Sequence, residues 1–149
     1  SLLDAIGTTI DRLGTRLSTV PEPDRPGQVI VAILTDGLEN SSEKFTWKEI
    51  SHKILEQTNT YKWQFLFLGA NQDAIATAAN LSIAAANASS YVADEIGTRT
   101  NTKAMSRKMS AMRKLSSGAR MSLKEQADIA APLSAIVAEE DAEGRKGKK

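Results

Sequence analysis

"QVIVAILTDG", residues 28–37, is one glutamine, six aliphatic residues and a Thr-Asp-Gly break. A continuous apolar run with no polar alternation predicts a strand buried on both faces, as in a parallel sheet. Asp36-Gly37 then marks a turn at its carboxyl end. A second run of the same character, "WQFLFL" at 63–68, also ends in polar residues, "GANQD" at 69–73. A weaker third strand is expected near Ser89–Val92.

Helices are expected between and around these strands. Leu3, Ile6, Ile10, Leu13 and Leu17 recur every three or four residues, one face of an amphipathic helix. Gly7 and Gly14 weaken that helix by about 1 kcal/mol each relative to alanine, which suggests close packing at both. "PEPDRPG" at 21–27 ends it. Thr46 and Glu49 make a capping-box pattern ahead of a helix that places Trp47, Ile50, Ile54 and Leu55 on one face. An alanine-rich helix is expected around 73–81, and another over 95–116 with Ile96, Met105, Met109, Met112 and Leu115 as apolar positions. "SSG" at 116–118 breaks it; a single helix near 122–138 and a disordered "EEDAEGRKGKK" complete the chain.

This alternation predicts an α/β fold: a Rossmann-like, doubly wound, mostly parallel sheet with helices on both faces. Such sheets usually have about 5–6 strands, so N-terminal strands are expected to be missing. The expected division is a partial domain over 1–116 and a charged tail over 117–149, a helical C-terminal extension. The sheet edge exposed by missing strands would favour dimerisation.

Composition narrows the function classes. The chain has 149 residues and no cysteine, which excludes disulfides, thiolate nucleophiles and thiolate metal sites. No apolar run approaches the roughly 18 residues that span a bilayer, and a cytoplasmic location is expected. The net charge of +1 conceals a segregation. Residues 1–98 carry seven basic and twelve acidic groups, a net of −5. Residues 99–124 carry eight bases and no acid, and 125–143 carry six acids and no base. The basic segment makes Arg107, Lys108, Arg113 and Lys114 candidate nucleic-acid contacts, although no aromatic residue lies beyond Tyr91 to stack bases. Pairing of this segment with the acidic stretch is the intramolecular alternative.

Ligands of open parallel sheets bind outside the carboxyl ends of the strands, where 35–40 and 69–73 stand. Asp36 there could hold a hard cation such as Mg²⁺ or only punctuate a turn. His52, the only histidine, has no catalytic partner in its neighbourhood and is read as a helix-flank residue. Neither a nucleophile elbow nor a phosphate-binding glycine loop is present. A metal-assisted hydrolase using Asp36 lacks a general base, so the chain is read as a non-enzyme.

"SLLDAIGTTI", "VIVAILTDGLENSS" and "WQFLFLGANQDAIATAANLSI" together resemble bacterial von Willebrand factor A-type domains over residues 1–92. The resemblance implies a Rossmann-like module that binds protein partners through a metal-ion-dependent adhesion site built from three loops. Asp36 matches the third-loop aspartate, which reaches the metal through water. The second-loop threonine would fall just before Ser1, and the first-loop Asp-x-Ser-x-Ser occurs nowhere in the chain. The resemblance therefore implies a C-terminal part of such a domain, with Glu39, Asn40, Asn71 and Asp73 along the same partner-binding edge. Mg²⁺ is then expected in the full-length protein, and weakly or not at all in this chain.

Overall fold

The computed structural model describes residues 2–37, 41–70 and 73–147. In chain order these form α1 (Leu2–Ser18), β1 (Ile30–Thr35), α2 (Trp47–Tyr61), β2 (Gln64–Ala70), α3 (Ala74–Asn80), β3 (Ala88–Tyr91), α4 (Glu95–Ser117), α5 (Leu123–Ala130) and α6 (Leu133–Arg145). The strands make one parallel sheet in the order β1-β2-β3. Helices cover both faces, so the α/β, Rossmann-like class expected from the sequence is what the described residues form.

The two cores follow from the side-chain alternation of β2. Phe65 and Phe67 point into a layer formed by Leu3, Ile6 and Ile10 of α1, Ile50 and Ile54 of α2, and Ala74 and Ala78 of α3. Leu66 and Leu68 point to the other face, against Ala104, Met105 and Met112 of α4 and Leu133, Ile136 and Val137 of α6. With strands added in one direction, right-handed crossovers place both connecting helices on the same face. The opposite face must then be covered by chain that follows β3.

That requirement corrects the expected tail. Among the described residues, 117–147 do not trail from the sheet: α5 and α6 pack on α4, and Leu133 and Ile136 are fully buried. The disorder anticipated for "EEDAEGRKGKK" also fails over 139–145, where α6 continues to Arg145. Its acids are compensated locally, Glu140 by Arg107 and Asp141 by Arg145. Nor is 122–138 one helix. Pro132 disfavours the helical conformation for Ala131, which is extended at φ −74°, ψ 141°, and the chain restarts as α6.

A second correction concerns β1. Central β2 is buried almost throughout, but β1 is an edge strand with Ala32 exposed and Leu34 49% exposed. Val31 and Ile33 face the first core, while much of the opposite face is open. Similarly, only Ile50 and Ile54 of the four apolar α2 positions are buried, and Trp47 and Leu55 reach solvent. On α4, Ile96, Met105 and Met112 are buried, Met109 is half-buried and Leu115 is exposed.

The two α1 glycines separate. A Cβ on Gly7 would lie 2.5 Å from the Phe45 ring and 2.8 Å from Ile50, whereas a Cβ on Gly14 would meet nothing. Close packing therefore explains Gly7 alone. We expect Gly14→Ala to stabilise the protein by about 1 kcal/mol through helix propensity, and Gly7→Ala to destabilise it by about 1–3 kcal/mol through overpacking. Urea denaturation midpoints of the two variants should move in opposite directions.

Candidate functional site

The strand register aligns the carboxyl ends. Thr35 pairs with Gly69 and Ala70 with Tyr91, so Asp36, Ala70 and Val92 stand along one edge of the sheet. Strand spacing of about 4.8 Å puts Asp36 and Tyr91 roughly 10 Å apart across it.

At β1, the hydroxyl of Thr35 closes the turn. It donates to the Gly37 carbonyl at 2.8 Å and accepts the Gly37 N–H at 3.3 Å. Asp36 is exposed between them, and no hydrogen bond or ion pair joins its carboxylate to another described residue. The motif thus forms the turn, and the turn presents the acid to solvent.

The chain that enters α2 is held by the aspartate of "SLLDAIGTTI". Asp4, in the first turn of α1, accepts the backbone N–H groups of Glu43 (2.9 Å), Lys44 (3.0 Å) and Phe45 (3.0 Å). Its own N–H donates to the Ser42 hydroxyl at 3.2 Å. These charge-assisted bonds tie the start of α1 to the chain entering α2, whose capping box at Thr46 and Glu49 follows directly. The α1 start is thereby fastened to the chain that enters α2. An acid in a first helical turn is ordinary dipole chemistry, so no local signal reveals that its partners lie some forty residues away. Asp4→Ala should cost about 2 kcal/mol and accelerate amide exchange at 43–45, because three amides lose one acceptor group. Asp4→Asn should retain part of both.

Asp73 caps α3, with Oδ1 accepting the Ala76 N–H at 3.1 Å. It also lines a cleft of about 560 Å³ at the end of β3, with Ser90, Tyr91, Thr100 and Asp141. Glu39, Asn40 and Asn71, the other residues expected on this edge, lie outside the described residues. His52 is exposed on α2, as read.

The described residues of this edge do not by themselves make up a Mg²⁺ site. Mg²⁺ requires six oxygens in near-octahedral array, and no cluster of three His, Asp or Glu that could hold a metal occurs among the described residues. Asp36 offers one carboxylate, the Thr35 hydroxyl is engaged in the turn, and Asp73 is engaged as a cap.

Of the proposed nucleic-acid contacts, Lys108 is withdrawn from solvent. Its ammonium donates to the carbonyls of Asp128 (2.9 Å), Ile129 (3.0 Å) and Ala131 (2.7 Å), and burial pushes its pKa down against the opposing pull of Asp128. The carbonyls at the end of α5 lack intrahelical donors, and the three ammonium hydrogens meet them. Arg107 forks onto Asp128, Nη2 to Oδ1 at 2.6 Å and Nε to Oδ2 at 3.2 Å, and reaches Glu140 at 2.9 Å. The Asp128 hydrogen bonds hold its pKa above the ordinary arginine range. Lys114 pairs with Glu125, and that contact together with the Ser122 capping box lowers the Glu125 carboxyl to about 2. Arg113 is exposed with no ion pair among the described residues. The basic and acidic segments thus pair within the chain at three of the four positions. Among the described residues, no helix is long and apolar enough to cross a membrane.

No protein-family model matches the chain, and no curated protein or solved structure does either.

Proposed function

We propose that this chain is a protein-interaction module of the von Willebrand factor A type that binds its partner through the carboxyl-end edge of the sheet and acts in the cytoplasm without catalysing a reaction. The observation that carries the reading is the placement of Asp36. It stands exposed after β1, and Asp4 pins the start of α1 to the chain that enters the next helix. The resemblance implies a loop of the adhesion site after β1, and Asp36 supports that reading as its candidate residue. Strand order supplies further support. It runs β1-β2-β3 without reversal, so a crevice of the kind that binds ligands in open sheets would form only if another strand joined the free edge of β1. A metal at Asp36 would need ligands from beyond the described residues, and Glu39, Asn40, Asn71 and Asp73 are the residues the resemblance implies for partner contact.

The absence of native cysteine gives a direct test. Gly37→Cys, beside Asp36, and, at the opposite end of β1, Gly27→Cys are each labelled with a photoactivatable maleimide and irradiated in extract of the source cell. Adducts concentrated at position 37 support the reading; equal adducts from both positions overturn it. Isothermal titration of the chain with Mg²⁺ should show no micromolar affinity. A micromolar isotherm abolished by Asp36→Ala would show that this chain completes a metal site by itself.

The nucleic-acid reading has less support, because Arg107, Lys108 and Lys114 are already engaged by acids or carbonyls of the same chain.

A further inference from the structure

Half of the basic face of α4 is covered by the chain's own acids, and the other half is open. Arg107 meets Asp128 and Glu140, and Lys114 meets Glu125. One side of α4 together with α5 forms a shallow groove of about 810 Å³, lined by Arg99, Lys103, Ser106, Arg107, Ser110 and Lys124. Arg99, Lys103 and Lys124 are exposed and have no ion pair among the described residues. The only acid on its wall is Glu140, which Arg107 already neutralises. Hydroxyls at i and i+4 on the same face, Ser106 and Ser110, add donors between the cations.

We propose that this groove docks an acidic polypeptide segment of a partner protein. The surface is separate from the Asp36 edge, since α4 covers the opposite face of the sheet from α1–α3. The chemistry has a precedent inside the molecule: the covered half of the same helix is occupied by the carboxylate-bearing helices α5 and α6. Carboxylates of a partner would extend that pattern toward Arg99. A nucleic-acid backbone fits less well. Its evenly spaced phosphates need a continuous basic track, whereas Glu95 and Glu139, both exposed, stand on the same helical layer. No aromatic side chain is present in the groove to stack a base.

Fluorescence anisotropy tests this with a labelled oligoglutamate peptide and a labelled oligothymidylate of matched charge, each at low and high salt. The intact chain should bind the peptide at low salt and bind it more tightly than the oligothymidylate. Reversing Arg99 and Lys103 together to glutamate should weaken peptide binding by at least about tenfold. The neutral pair Arg99→Gln and Lys103→Gln should weaken it less, with unchanged helicity as the folding control. Lys48→Glu, an exposed charge change on α2, should leave it unaltered. Absence of peptide binding at low salt, insensitivity to both Arg99/Lys103 variants, or tighter binding of the oligothymidylate overturns the proposal.

Discussion

Arg107→Ala should destabilise the protein by about 3 kcal/mol, among the largest losses expected from any single side chain. The guanidinium makes two bonds to Asp128 and one to Glu140, and Asp128 is only 9% exposed. Removing the cation leaves a nearly buried carboxylate without its charge partner, a loss of about 3–5 kcal/mol for enclosed pairs. The lower end applies because Arg107 keeps 17% of its side chain in solvent, so water can partly replace it. The damage should spread beyond the pair. Asp128 closes α5, whose last carbonyls also receive Lys108, and α6 follows after Pro132. Urea denaturation should show the lower midpoint, and amide exchange should rise first over 123–145. The double variant Arg107→Met/Asp128→Leu separates charge from packing. It removes both members of the pair, and recovery of most of the stability would show that the single variant suffers from the orphaned carboxylate. A single variant as stable as the parent would mean that the network contributes only at the level of a surface pair.

What was legible in the sequence was whatever is decided locally. The capping box at Thr46 and Glu49, the period of α1, the two strong strands and the stop at Gly118 each depend on neighbouring residues, and each stands where expected. What depends on chain far away was not legible. "IVAILT" reads as a buried strand, and its exposure follows from its place at the end of the strand order, which no property of those six residues encodes. "EED" at 139–141 reads as solvated chain until Arg107 and Arg145 are seen to reach it. The site divides in the same way. The Thr35-Asp36-Gly37 turn was evident, because hydroxyl and glycine act within three residues, but Asp4 as the clamp on the next loop was not. The charge segregation did carry information: a +8 segment beside an acidic one becomes three helices held together by Arg107 and Lys114.

Gly97→Ala should be at least as disruptive as loss of Arg107, and for a reason of geometry alone. Gly97 lies in the first turn of α4, where an added Cβ would stand 1.8 Å from the carbonyl oxygen of Val92 and 2.8 Å from its carbonyl carbon. Both atoms are backbone, so no rotamer change relieves the contact; either α4 or the chain leaving β3 must move. Overpacking of this kind costs about 1–3 kcal/mol where side chains can yield, and more where they cannot. Movement would also loosen the cap. The Gly97 N–H donates to Asp94 Oδ1 at 2.7 Å, and loss of such a cap costs about 0.5–2 kcal/mol. Asp94 in turn receives both Nη atoms of Arg145, at 2.9 and 3.0 Å, which fastens the end of α6 to the start of α4. A single methyl group therefore acts on three connected contacts, and a total of at least about 3 kcal/mol is expected. Arg145→Ala removes the exposed contact to Asp94 and the i,i+4 contact to Asp141 but leaves the Gly97 backbone approach and the Asp94 cap in place, and should cost less. Thermal unfolding of the two variants beside Gly14→Ala gives the scale. If Gly97→Ala melts with the parent, the approach of Val92 to α4 is looser than these distances require.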